Sequence, residues 1–106
     1  MNYRLKKQKD FDLAFNKGIR LYSKSITLLF IKSKELKIGI SLSKKHGKAV
    51  LRNRIKRVVR AAFISYIKEI KENYYIVILP KKSDIYNFHT IKQDIEFLLK
   101  KGKLID

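Results

Sequence analysis

Residues 44–60, Lys-Lys-His-Gly-Lys-Ala-Val-Leu-Arg-Asn-Arg-Ile-Lys-Arg-Val-Val-Arg, hold the densest chemistry in the chain. Eight of these seventeen positions are Lys or Arg, none is acidic, and the apolar residues between them fall at helical spacing. So many like charges repel one another, which suits the segment to meeting a dense anion, and the obvious one is a nucleic acid backbone. The choice of cation adds a geometric point. The chain has twenty Lys and only six Arg, yet Arg52, Arg54, Arg57 and Arg60 lie within nine positions. Lys would supply the same charge, whereas Arg adds a planar fork that grips a phosphate or a base edge through two hydrogen bonds. The bland alternative is a solvated basic helix face.

At about 100° per residue, Leu51, Ile55, Val58, Val59, Ala62, Phe63, Tyr66 and Ile70 form one apolar stripe. Asn53, Lys56, Arg57 and Arg60 fall together in a separate arc, with Arg54 and Lys68 beside it and Arg52 nearer the apolar flank. One side of such a helix anchors to a core while the other presents a row of cations. Lys44, Lys45, Gly47 and Lys48 come just before it, where free backbone N–H groups and the positive dipole end also favour phosphate.

Catalytic machinery is not visible in the chain itself. The nine acids are scattered: Asp10 and Asp12 diverge on a helix, as do Asp94 and Glu96, while Glu69 and Glu72 share a face without a third ligand. They read as surface charges balancing lysines. His46, inside the basic turn, either touches the nucleic acid or stays solvated, with its cationic neighbours favouring contact; His89 reads as a surface residue. Cysteine is absent, which excludes disulfides, thiolate metal sites and cysteine catalysis. No nucleophile–base set, Gly-rich phosphate loop or metal-ligand spacing is present.

The elements that must position the basic segment fit one domain, residues 1–106, of α+β class. The balance of 26 basic to 9 acidic residues gives a formal charge of +17, and the pI is near 10.2. Between Leu36 and Lys68 there are ten basic residues and no acid. A hydrophobic content of 45% with four Gly and one Pro argues against a disordered polycation. The N-terminus does not resemble a signal peptide, the longest apolar run (Ile26–Ile31) is too short for a membrane span, and the cytoplasm is the expected location. Phe11, Ala14 and Phe15 share one face of a short helix over 8–17, stopped by Gly18. Ile19–Ser23, Ile26–Ser33 and Leu36–Ser43 read as strands, the last two as a hairpin. Ile38, Ile40 and Leu42 alternate with Gly39, Ser41 and Ser43, leaving one small, open face. The long helix is expected from Lys48 to about Glu72, a central strand at Tyr75–Leu79, and a last helix at 87–101 carrying Phe88, Ile91, Ile95 and Leu98. The order α-β-β-β-α-β-α implies helices packed on a four-stranded sheet.

Lys44-Lys45, Gly47, Lys48-Ala49-Val50, Arg52-Asn53-Arg54, Lys56-Arg57 and Arg60 resemble the signature of the bacterial ribonuclease P protein family, called the RNR motif. The Phe11–Phe15 helix ending in Gly18, Ile38-Gly39-Ile40-Ser41 before the Lys pair, and the strand after the long helix extend the resemblance over about residues 4–100. Ala61 departs from it, because the family often has Glu or Gln after the last motif arginine; a lost local contact is expected there. The resemblance implies the small subunit of a ribonucleoprotein that removes the 5′ leader from precursor tRNA, with hydrolysis performed by its RNA subunit using bound Mg2+. It implies that Lys44, Lys45, Lys48, Arg52, Asn53, Arg54, Lys56, Arg57 and Arg60 meet RNA, that Phe11 and Phe15 line a leader cleft, and that no obligate protein partner is needed. Core packing of Phe11 and Phe15 is the other reading, and the two are compatible. Tyr22, Leu29 and Phe30 are candidates to complete the cleft. A left-handed β-α-β crossover is also implied, against the overwhelming right-handed preference. A basic ribosomal or general RNA-binding protein is the alternative; a metal-dependent protein nuclease and a duplex-DNA binder fit the residues less well.

Overall fold

The computed structural model describes residues 3–82 and 86–106. Its elements follow the expected order: α1 (Gln8–Lys17), β1 (Ile19–Tyr22), β2 (Ile26–Lys32), β3 (Lys37–Ile40), α2 (Ala49–Ile64), β4 (Tyr74–Pro80) and α3 (Phe88–Lys101). Short 3-10 turns at Lys44–His46 and Ile67–Glu69 flank α2.

The strands lie in the order β1-β2-β4-β3; β2 pairs antiparallel with β1 and β4, and β3 pairs parallel with β4. The hairpin expected between β2 and β3 is therefore not formed, because β4 lies between them. The cause is in β4 itself. Ile76, Val77 and Ile78 are all fully buried although alternate residues face opposite sides, and a strand apolar on both faces belongs at the centre of a sheet. β2 has the same character from Ile26 to Phe30. The chain leaving β2 is also tied to the chain entering β4: Ser33 N–H donates to Asn73 O at 3.1 Å, and the Asn73 amide donates to Lys34 O at 2.9 Å. β3, shorter and containing Gly39, takes the edge.

The two faces of the sheet carry separate apolar clusters. Ile26, Leu28, Phe30, Ile40, Ile76 and Ile78 face α2 and α3, meeting Ile55, Val59, Phe63, Ile91, Ile95 and Leu98. Leu29 and Val77 face the other way, where Leu5, Ala14, Phe11 and Phe15 cover them. The amphipathic spacing of each helix thus supplies one cover, with α1 alone on its side.

The crossover from β3 through α2 to β4 is left-handed, as the resemblance implied. Ile38 turns its side chain toward the α2 face, while its N–H and C=O bond to Tyr3 and Leu5 on the outer edge. For an L-residue, that pairing of side-chain face with hydrogen-bonding edge puts β4 to the left of β3, viewed from α2 with β3 pointing up. Such crossovers are rare.

α2 ends at Ile64 rather than running to Glu72. After Phe63 the chain tightens: Tyr66 N–H bonds to Phe63 O at 2.9 Å, and the Tyr66 hydroxyl donates to Glu96 of α3, also at 2.9 Å. Tyr66, Ile67 and Ile70 still pack on the core, so the helical spacing of apolar residues is met by a separate short turn. Leu51, expected on the apolar stripe, is 42% exposed at the first turn of α2.

Candidate nucleic-acid interface

With Ile55, Val59, Ala62 and Phe63 buried against the sheet, helix geometry forces the intervening residues outward. Asn53, Arg54, Arg57 and Arg60 are exposed, and Arg52 and Lys56 are half-buried. Among the described residues, none of the five α2 cations forms an ion pair; the carboxylates lie elsewhere. The Arg52 Nε is buried and has no hydrogen-bond partner among the described residues. The Arg60 guanidinium is shifted below its ordinary value, first by desolvation and then by the positive charge of Arg4. Like charge is thus concentrated on one face without internal compensation, a standing attraction for a polyanion.

Lys44, Lys45 and Lys48 are exposed on the turn leading into α2. Lys48 is the N-cap residue without a side-chain cap, so no capping side chain occupies the first-turn N–H groups of α2. His46 departs from the expectation of RNA contact or solvation. Its ring turns inward, with both nitrogens engaged by Ser43 and Pro80.

On the opposite face of the sheet, α1 presents Phe11 and Phe15, both half-buried against Leu5, Ala14, Leu29 and Val77. Each ring packs on the core and stays partly exposed. Register places the three strand residues that sequence offered, Tyr22, Leu29 and Phe30, on the two faces of the sheet. Tyr22 pairs with Thr27, which pairs with Leu79; this row shares the α1 face, and Tyr22 is 59% exposed. Leu29 shares the face but is fully buried. Phe30 points the other way, edge-on to Tyr74 at a centroid distance of 5.7 Å, so it does not share the α1 face. Arg20 reaches the back of α1, where its guanidinium donates to Phe15 O at 3.2 Å.

The two surfaces meet around the edge of β3. A cavity of about 350 Å³ is lined by Phe11 of α1, Gly39 and Ile40 of β3, Lys56 and Arg60 of α2, and the N-terminal residues Arg4–Lys6. Sequence reasoning missed Arg4 and Lys6, because nothing in an isolated basic N-terminus says that Arg4 bridges to Ile38 at the sheet edge. Gly39 was legible only as the small, open face of its strand.

Among the described residues no three His, Asp or Glu side chains gather where they could hold a metal ion. Asp94 is spent on structure, accepting from the Ser25 backbone N–H at 3.0 Å and from the Ser25 hydroxyl. Glu96 is occupied by Tyr66 and Lys100. No helix among the described residues is long and apolar enough to cross a membrane.

Comparison with known proteins gives this arrangement a lineage. The ribonuclease P family model matches residues 1–103. The ribonuclease P protein component of Listeria innocua is 37% identical over 107 residues, covering 97% of this chain and 90% of that protein. That of a Nitratiruptor species is 36% identical, covering 93% and 91%. The RNase P protein of Staphylococcus aureus superposes with a TM-score of 0.86 at 30% identity and full coverage of both chains. The Thermotoga maritima protein gives 0.81 at 32% identity, covering 92% of this chain and 96% of its own. The chain belongs to the ribonuclease P protein family.

Proposed function

We propose that this chain holds RNA on two adjoining surfaces: the α2 face with its lysine turn grips the ribonuclease P RNA subunit, and the α1 cleft holds the 5′ leader of precursor tRNA. As a ribonuclease P protein component it associates with the RNA subunit, assists it in tRNA 5′ processing, and is part of an endoribonuclease. The observation that carries the finer assignment is the shared cavity, in which Phe11 and the cations Lys56 and Arg60 converge. A nucleotide there meets an aromatic edge and two positive charges at once.

The division of labour follows from side-chain chemistry. An unpaired leader exposes base faces, and stacking on aromatic residues recovers roughly 1–3 kcal/mol per base without demanding a sequence. Cations on α2 neutralise phosphates and release counterions, tightening a complex that the RNA subunit would otherwise hold together with more magnesium. The RNA subunit performs the hydrolysis and holds the catalytic Mg2+. Among the described residues no three His, Asp or Glu side chains gather into a donor set. One RNA-binding domain working in the cytoplasm suffices for this role; a purely ribosomal task gives no reason for an aromatic cleft beside the basic helix.

Photocrosslinking tests the surface assignment. A precursor tRNA bearing a photoreactive nucleotide in its leader, bound to the complex of this protein with ribonuclease P RNA, is expected to label the α1 peptide containing Phe11 and Phe15. Labelling confined to α3 would overturn the cleft assignment.

A further inference from the structure

Ser43 and Pro80 stand where the next rung of the parallel β3–β4 ladder would fall. Gly39 pairs with Val77 and Ile40 with Ile78, and Ser41 N–H donates to Ile78 O at 3.0 Å. Rungs of a parallel ladder are evenly spaced, on alternate residues, so the next would run from Ser43 N–H to Pro80 O. Both groups bond to His46 instead. Ser43 N–H donates to Nδ1 at 3.1 Å, and Nε2 lies 2.7 Å from Pro80 O. A peptide N–H only donates and a peptide carbonyl only accepts, so Nε2 carries the hydrogen and Nδ1 the lone pair. The imidazole is an inserted rung of fixed tautomer.

The insertion has a local purpose. The chain must leave β4 at this point to begin α2, and leaving would strand two backbone groups. The ring widens the gap yet keeps both paired. The remaining bonds close the turn: Ser43 Oγ accepts from Lys45 N–H at 3.3 Å, and Gly47 N–H donates to Lys44 O at 3.1 Å. Gly47 then takes φ +110°, a conformation that side chains disfavour, and α2 starts two residues later.

We infer that His46 is a positioning residue for RNA recognition: it pins the turn bearing Lys44, Lys45 and Lys48 to the end of β4, so that these cations meet RNA already placed. The inference rests on the reading of those lysines as RNA contacts. Long side chains on an unpinned turn must be ordered at the moment of binding, and that ordering subtracts from affinity.

The test uses the full chain and ribonuclease P RNA. His46→Ala removes both arms of the bridge. His46→Gln keeps them, because the amide oxygen and nitrogen, like the two ring nitrogens, are an acceptor and a donor separated by one carbon, and Gln suits this position of a capping box. His46→Ala is expected to weaken RNA binding roughly tenfold, the order of ordering two lysine side chains, and His46→Gln to restore most of the loss. The loss should shrink in a Lys44→Ala/Lys45→Ala background, where only Lys48 of the three is left to place, a coupling that general damage to the fold would not produce. Imidazole NMR of the wild-type chain at alkaline pH should show the His46 ring in the Nε2–H tautomer alone. Unchanged RNA affinity in His46→Ala, a loss undiminished in the Lys44→Ala/Lys45→Ala background, or a mixture of tautomers overturns the inference. A Lys44→Ala/Lys45→Ala protein that binds RNA like wild type overturns the lysine reading itself, and the inference with it; that result is distinct because it appears with His46 intact.

Discussion

The ring of Phe11 lies against the backbone of Gly39, so close that a β-carbon on Gly39 would fall 2.5 Å from Phe11 Cζ and 2.6 Å from Cε1. The missing side chain lets α1 settle on the edge strand. It also brings an aromatic residue from one face of the sheet into the cavity that Lys56 and Arg60 reach from the other.

Gly39→Ala should therefore force the Phe11 ring aside. Overpacking of this kind costs about 1–3 kcal/mol, measurable by urea unfolding. The cost should shrink in a Phe11→Leu background, where the ring is gone, and equal costs in both backgrounds would place the strain elsewhere.

Arg57→Ala and Arg60→Ala should each weaken binding to the RNA subunit by about 1–3 kcal/mol, the range of a charged hydrogen bond, with thermal stability nearly unchanged because both side chains are exposed. The slope of log affinity against log salt should fall by about one per cation removed. Filter binding at several salt concentrations checks both points. A loss independent of salt would contradict a phosphate contact.

Phe11→Ala or Phe15→Ala should reduce affinity for leader-bearing precursor more than for mature tRNA, by roughly 1–3 kcal/mol for each base that loses its platform. Competition binding with both ligands reads the difference directly. Equal losses for the two ligands, with the fold intact, would assign the rings to packing alone.

Tyr66 ties α2 to α3, and its hydroxyl is pushed up to about 12, first by burial and then by the hydrogen bond and charge of Glu96, with Glu69 adding. A phenol held above its ordinary value contributes stability that is fully present below the unfolded value near 10 and is lost as pH rises through about 12. Titration of phenolate absorbance should show a late step that Tyr66→Phe removes. On the acid side, Glu96 is held below the usual carboxylate range, first by the hydrogen bond from Lys100 and then by that from Tyr66. Its contribution is present above the unfolded carboxylate value and fades as pH falls through the lowered one.

Element order was legible because each helix and strand announces itself locally: Phe11, Ala14 and Phe15 at helical spacing, Gly18 after them, and the apolar run of β4. Pairing was not. The Ile38–Gly39–Ile40 strand follows β2 in the chain, but its partner is set by β4, whose two apolar faces claim the centre only once α1 and α3 are known to lie on opposite sides of the sheet. The face of Phe30, opposite α1, was illegible for the same reason, since a period of two gives alternation without saying which face is which. The α2 cations were readable because a regular helix with one apolar stripe leaves their direction no freedom. His46 was not, because its partner Pro80 is 34 positions away and no local pattern marks the meeting.

In the proposed role, this protein binds the ribonuclease P RNA and leaves the cutting to it. The most direct measurement is cleavage of a precursor tRNA by a bacterial ribonuclease P RNA at low Mg2+, with the protein, without it, and with the protein alone. Strong stimulation of leader removal together with an inert protein-alone reaction is the expected result. Tight RNA binding without stimulation, or cleavage by the protein alone, would contradict it.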